Sequence, residues 1–253
     1  MDKNRFFNNN IIDRHVAITD GVFAIAMTIL VLEIAVPAIS DINSGVVLGD
    51  YLVNNLIPAI IIYFISFYLV YNFWATTNII FSFKNISSRV LSLNMFALAT
   101  VCLIPFATGF LFNFYKYFEA NLFFSVLILC ISIIYLLIII VMVRDNFGPI
   151  LENKDEIKDK YADKLNEGLI PNINIYMRGA LQTLYYLVIS PIIISVISII
   201  LAFVSPYLSI LSFILILILR FFIRMRKVGK DSKTDGLTDS EKEFLSEIEE
   251  IIY

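Results

Sequence analysis

The sequence has few of the residues from which catalytic and metal sites are usually built. It contains one histidine and two cysteines in 253 residues, and only 16% of its residues are charged. One histidine (His15) gives no basis for a histidine-based metal or acid–base site. A glycine-rich phosphate loop and a nucleophile elbow are both missing. We therefore expect a protein that is not an enzyme, with no catalytic residues, no metal site and no cofactor.

The two cysteines lie in apolar runs and do not have the spacing of metal ligands. Cys102 and Cys130 are each surrounded in sequence by leucine, isoleucine and valine. Free cysteines usually behave as small apolar side chains. We expect two free thiols that are buried in the protein.

Apolar residues dominate the chain. Hydrophobic residues make up 59% of it, aromatic residues 14%, and the mean hydropathy is +0.82. A soluble domain carries about 25% charged residues and does not sustain several apolar runs of about twenty. These runs are continuous, whereas the strands of an outer-membrane barrel alternate between apolar and polar positions. The composition predicts an all-α membrane protein.

The apolar runs predict six transmembrane helices in one domain, residues 15–223. Residues 1–14 are interpreted as an N-terminal tail, and residues 144–178 as a polar loop. Residues 224–253 are interpreted as a C-terminal tail with a short amphipathic helix. Pro58 predicts a kink in the second helix and Pro105 an interruption of the third. The predicted helices cover about residues 15–39, 51–81, 89–112, 120–143, 180–204 and 207–223.

The distribution of positive charge predicts the orientation. With six spans, eighteen of the nineteen lysines and arginines fall on the side that holds both termini, and Lys116 falls on the other side. By the positive-inside rule both termini are cytoplasmic in a multi-pass protein of the cell membrane. The outer side carries Glu33, Asp41, Asp50 and Glu119. Such an acidic rim would concentrate cations and repel anions.

The first apolar run carries a carboxylate near each end. Asp20 and Glu33 flank the uncharged segment from Gly21 to Leu32. A carboxylate inside hydrocarbon costs about 2.5–3.5 kcal/mol on insertion scales. A helix that served only as a lipid anchor would not carry two. We expect this helix to face protein or water along part of its length.

Within this helix, Ile25, Ile29 and Leu32 fall on one stripe, with Thr28 beside it. An aliphatic stripe on a membrane helix fits contact with lipid or with other helices. It also fits the lining of a pore. The spacing alone leaves these interpretations open.

Three blocks of sequence resemble a known family. The segment from Arg14 through Ile18-Thr19-Asp20 to Gly-Val-Phe-Ala-Ile resembles the first-helix signature of the endosomal and lysosomal potassium channel family. That signature has arginine and, after three residues, Phe-Ser-Asp followed by Gly-Val-Phe-Ala-Ile. SFYLVYNFWATTN, with Trp74, resembles its second helix, and LSLNMFALATVCLIPF, with Asn94, its third. The blocks cover about the first 110 residues, and a single six-helix unit resembles the prokaryotic members.

The resemblance implies a potassium-permeable channel without a filter of backbone carbonyls. It implies a homotetramer in which four copies of helix 1 surround the pore. By position, Ile25 would form the tightest ring, Ile29 and Leu32 further layers toward the outside, and Thr28 a ring of hydroxyls. Expected partners are further copies of the chain, membrane lipids, potassium and other monovalent cations, and no nucleic acid. An aliphatic ring gives no strong reason to reject sodium, so we expect modest selectivity.

The family motif also suggests contacts between helix 1 and its neighbours. Arg14 and Asp20 lie six positions apart, about 240° around a helix, so they do not simply pair with each other. As in the family, they are expected to join helix 1 to neighbouring helices, with Thr19 as a hydrogen-bonding companion. Three positions depart from the family: Ile18 replaces a phenylalanine, Thr19 replaces a serine but keeps the hydroxyl, and Thr77 replaces a histidine three residues after the tryptophan. A threonine cannot become cationic, which puts any charge-based role at Thr77 in doubt.

Two other functions fit parts of the sequence. A secondary transporter would use broken helices around a midplane site, and saturable flux coupled to protons or sodium would identify it. A non-conducting membrane scaffold would act through residues 228–253, and partner binding without ion flux would identify it.

Overall fold

The computed structural model describes residues 3–34, 48–83, 86–152 and 187–215. The regular structure in these ranges is helical. The helices are α1 (Lys3–Leu32), α2 (Leu48–Tyr51, a π-helical turn at Leu52–Leu56, then Ile57–Phe81), α3 (Ser88–Val101 and Leu103–Phe114), α4 (Phe118–Glu152), α5 (Leu187–Ala202) and α6 (Pro206–Leu215).

Four of these helices, α1 to α4, are long and apolar enough to cross a membrane. As far as they are described, α5 and α6 are shorter apolar helices. The prediction of an all-α membrane protein is confirmed. The count of six spans and the cytoplasmic placement of both termini stay predictions.

Two helices extend beyond the predicted membrane segments. Helix α1 begins at Lys3, so most of the predicted N-terminal tail is helical, and α4 continues to Glu152, past the predicted start of the polar loop. A helix satisfies its backbone internally in water as well as in lipid, so it does not have to end where the apolar run ends. On the polar extension of α4, Asp145 forms a salt bridge of 3.1 Å with Arg89 at the start of α3. The amphipathic helices predicted around Ile157 and in residues 224–253 lie outside the described residues.

Pro58 distorts α2 through its missing N–H group. The Ile57 N–H donates to the carbonyl of Leu52, five residues back, in the π-helical turn before the proline. Since Pro58 has no N–H, the carbonyl of Asn54 has no helical partner from that position. Tyr115 Oη donates to this carbonyl at 2.7 Å. The predicted kink is therefore a local π-helical distortion whose free carbonyl is satisfied from α3.

Helix α3 consists of two pieces, Ser88–Val101 and Leu103–Phe114, which meet at Cys102. We call them the inner and the outer piece after the predicted orientation. The break lies one turn before Pro105, whose ring clashes with the preceding turn and which lacks an N–H group. At the start of the inner piece, Ser87 Oγ accepts the Val90 N–H at 3.5 Å. The predicted interruption of this helix is present, at Cys102.

Buried hydroxyls join α4, α5 and α6. Ser125 Oγ lies 2.7 Å from Ser198 Oγ, which lies 2.7 Å from Ser209 Oγ. All three side chains are almost fully buried. Hydrogen bonds of this kind join membrane helices where the lipid offers no hydrophobic driving force.

The predicted burial of the two cysteines is wrong. Cys102 and Cys130 are free, as expected, but both are exposed on the surface of the chain. In a membrane protein an apolar side chain can leave water by facing lipid instead of protein. An apolar run therefore does not distinguish a core position from a lipid-facing one.

Candidate functional site

Helix α1 packs against α2 and α3 with one face. Thr19, Phe23, Ala26 and Leu30 lie on this buried face, at helical spacing. Contacts with both pieces of α3 and with the long part of α2 hold the helix along its length. These contacts define which face of α1 is turned toward the rest of the chain.

The opposite face of α1 is exposed and contains every residue predicted to line a pore. Ile25 is 60% exposed, Ile29 38% and Leu32 77%, and Thr28 is exposed beside them. On the same side, a Cβ atom added at Gly21 would meet no atom within 4 Å. An aliphatic face of this length is therefore free for lipid, for further copies of the chain or for a pore.

The Thr28 hydroxyl is turned back onto its own helix. Thr28 Oγ1 donates to the carbonyl of Ile25 at 2.9 Å. Its proton is thus already used, while the oxygen keeps acceptor capacity on the exposed face. Such an oxygen can accept a hydrogen bond from water or face a cation.

Two side-chain hydrogen bonds, which we call the inner contacts, join α1 to its neighbours. Trp74 Nε1 on α2 donates to Asp20 Oδ1 at 2.9 Å. Asn94 Nδ2 on α3 donates to Thr19 Oγ1 at 3.0 Å, and both of these side chains are buried. The expected partnership of Thr19 and Asp20 with neighbouring helices thus has a structural counterpart.

Arg14 does not take part in the inner contacts. Its side chain is exposed on α1, and within the described ranges it forms no salt bridge. The structure accordingly does not bring Arg14 and Asp20 together, as their spacing predicted.

Thr77 lies in a different contact, between α2 and α4. Thr77 Oγ1 lies 2.9 Å from the Phe73 carbonyl and 2.8 Å from Tyr135 Oη. Because the threonine donates its single proton to the carbonyl, Tyr135 donates to Thr77. The Tyr135 ring stacks on Phe73 with centroids 5.3 Å apart. Sequence reasoning missed Tyr135, although a phenol within a long apolar helix signals a buried hydrogen bond.

Among the described residues there is no group of three or more histidine, cysteine, aspartate or glutamate side chains that could hold a metal ion. The inner contacts consist instead of one carboxylate, one indole, one amide and one hydroxyl, arranged in two pairs between helices. This arrangement fixes helices in place and offers no nucleophile beside a base.

A comparison with protein families supplies the decisive observation. The model of the family described as "Endosomal/lysosomal potassium channel TMEM175" matches residues 14–105. Over this segment the chain is similar to the TMEM175 potassium channel family. The matched segment contains all the predicted site residues, from Arg14 to Asn94, and ends at Pro105.

The solved structures extend the likeness to the whole TMEM175 fold. The chain matches the crystal structure of a lysosomal potassium-selective channel TMEM175 homolog from Chamaesiphon minutus with a TM-score of 0.58 and 22% sequence identity. The match covers 85% of this chain and 98% of that chain. At this identity the likeness establishes the fold. No curated protein matches the sequence.

Proposed function

We propose that the chain forms a potassium-permeable cation channel in the cell membrane, as a homotetramer with α1 lining the pore. Six spans and cytoplasmic termini belong to this proposal. The match of residues 14–105 to the TMEM175 family model supports potassium as the permeant ion. The charge asymmetry of the sequence supports the orientation.

The exposed aliphatic face of α1 carries the proposal. An apolar helix at the periphery of a membrane protein needs no hydrogen-bonded attachment, yet α1 is joined to α2 and α3 by the inner contacts on one side. On its other side it presents Ile25, Ile29 and Leu32. This division suits a helix that must hold one face toward a symmetry axis while the rest of the protomer supports it.

A ring of four Ile25 side chains would gate by dewetting. Water leaves a narrow aliphatic constriction, and an ion without hydration does not cross it. A small rotation or tilt of α1 widens the ring and admits a partly hydrated ion. Ile29 and Leu32 form further layers toward the outside. Beside these layers, the Thr28 oxygen faces the ion. Because no ring of carbonyls replaces the hydration shell, potassium is favoured over sodium only modestly.

Ion flux into liposomes tests this proposal. The purified protein is reconstituted, and potassium-driven flux is measured against empty liposomes and then with sodium. We expect potassium flux above the empty liposomes and weaker sodium flux. Flux that saturates and depends on a proton or sodium gradient would instead identify a transporter. Absence of flux for both ions would contradict the proposal.

Replacing Ile25 with serine tests the constriction. A polar side chain keeps the ring wet, so we expect the resting potassium flux to rise several-fold. Ile193 on α5 is a matched control, because it is an isoleucine with a similar exposure of 52% on a helix that is not assigned to the pore. Serine at Ile193 should leave the flux unchanged. If the Ile25 variant conducts like the wild type, Ile25 is not the gate.

A further inference from the structure

The outer end of α1 meets α3 at a glycine. A Cβ atom added at Gly109, on the outer piece of α3, would collide with the side-chain carboxylate of Glu33. Glu33 follows the last helical residue of α1 and is half-buried. It lies seven positions after Ala26, which lies seven after Thr19, so it continues the buried face of α1. The Glu33 side chain therefore lies in a space that exists only because position 109 has no side chain.

The same turn of α3 is fixed to α2. Thr108 Oγ1 lies 2.9 Å from Ser66 Oγ, and both side chains are buried. Thr108 and Gly109 thus contact two different helices from adjacent positions. The turn of α3 that faces Glu33 is therefore also held by α2.

The two pieces of α3 hold α1 at two levels. The inner piece supplies Asn94 to the inner contacts, and the outer piece supplies Gly109 to Glu33. The break at Cys102 separates the two pieces. The outer end of α1 therefore has a support of its own, independent of the inner contacts.

We propose that Glu33 is a positioning residue that seats the outer end of α1 against Gly109 and so sets the position of Leu32. This inference rests on the proposed function, because it makes the Glu33–Gly109 contact a determinant of the outer pore layer. Leu32 is the neighbouring residue in sequence and the most exposed one on the exposed face of α1. A side chain at position 109 takes the space of the Glu33 carboxylate, which is the flexible end of that side chain and has to rotate out. The outer end of α1 then loses its seat against α3, and Leu32 is no longer held in one position.

The proposal predicts a specific coupling between positions 109 and 33. Gly109→Ala should change potassium flux about as much as Glu33→Ala does, about fivefold, because both changes remove the carboxylate from the same space. In a Glu33→Ala background the same change should have no further effect, because the added methyl then meets no carboxylate. Gly49→Ala is the matched control, since a Cβ atom at Gly49 meets nothing within 4 Å. It should behave like the wild type.

A readout that does not need conduction separates this inference from the channel proposal. With Cys102 and Cys130 replaced by serine, Leu32→Cys is labelled by a charged, water-soluble thiol reagent applied from outside to the reconstituted protein. We expect labelling about fivefold faster both with Gly109→Ala and with Glu33→Ala alone, because Leu32 is then held less firmly. The double variant should label like Glu33→Ala.

Each outcome decides one of the two proposals. If the wild type carries no flux but the labelling rates follow this pattern, the channel proposal fails and the positioning role stands. Equal labelling of the wild type and Gly109→Ala overturns the positioning role, as does an undiminished effect of Gly109→Ala in the Glu33→Ala background. Should Gly109→Ala fail to elute as a folded protein in size-exclusion chromatography, Glu33→Ala alone decides, and an unchanged labelling rate overturns the inference.

Discussion

The hydrogen bond between Asn94 and Thr19 should couple these residues energetically. The two side chains are 2% and 1% exposed, and they join α3 to α1 at 3.0 Å. Thr19→Val and Asn94→Leu replace them with apolar side chains of similar size. Each single change leaves the other polar group buried without its partner, whereas the double change leaves two apolar groups in contact.

The expected magnitude follows from burial in a membrane helix bundle. A buried polar group that loses its partner costs about 1–3 kcal/mol. Hydrogen bonds between membrane helices average about 0.6 kcal/mol and reach about 1.7 kcal/mol, because the unfolded chain in the membrane finds other partners. We therefore expect a coupling free energy of about 0.6–1.7 kcal/mol, toward the upper part of this range because both residues are almost completely buried. The double variant should be more stable than the sum of the single losses predicts.

Reversible unfolding in mixed detergent micelles, with increasing dodecyl sulfate, measures the four free energies of unfolding. All four proteins must be compared at one concentration, since the stability of an oligomer depends on it. Ser92→Ala is the control, because Ser92 Oγ donates only to the carbonyl of Ser88 within the same helix at 2.9 Å. If the losses of the two single variants sum to the loss of the double variant within about 0.3–0.5 kcal/mol, the two residues act independently. That result would refute the reasoning.

Two further hydrogen bonds can be removed with little change in shape. Trp74→Phe removes the N–H group that donates to Asp20. Because the carboxylate is exposed, we expect a melting temperature only about 2–4 °C lower but a clear loss of potassium flux. Flux equal to that of the wild type would mean that this hydrogen bond does not orient α1. Tyr115→Phe leaves the Asn54 carbonyl beside Pro58 without its donor, which should lower the free energy of unfolding by about 0.5–1.5 kcal/mol in the same dodecyl sulfate titration. Tyr117→Phe, at an exposed tyrosine, is the control, and equal losses for both tyrosines would contradict the assigned role.

The apolar runs predicted the positions of the helices but not two of the helix ends. The runs locate the segments that lipid can surround, and Pro105 locates the break in α3 within one turn. The start of α1 at Lys3 and the end of α4 at Glu152 fall in polar sequence, where hydropathy carries no signal. Helix propensities differ too little between ordinary polar residues to mark these ends.

The candidate site was predictable only in part, because sequence periodicity describes one helix at a time. Helical periodicity, together with the family resemblance, separated the face of α1 that carries Ile25 from the face that carries Thr19. The partners across the bundle lie 54 to 75 positions away in the sequence, so periodicity within one helix cannot identify them. Tyr135 and Gly109 were missed for this reason, and Glu33, interpreted as part of an acidic rim, turns its carboxylate toward α3 instead.

Thr77 stands at the position where the family resemblance leads one to expect a histidine. Its hydroxyl accepts from Tyr135 and donates to the Phe73 carbonyl, so the junction of α2 and α4 is hydrogen-bonded without a charge. Tyr135 and Thr77 are both almost fully buried, and a cation at this point would have to be desolvated. The pair therefore supports α2, and with it Trp74 three residues earlier, through a contact that protonation between pH 5 and 8 does not alter. A pH response of the flux in that range would have to originate at another group.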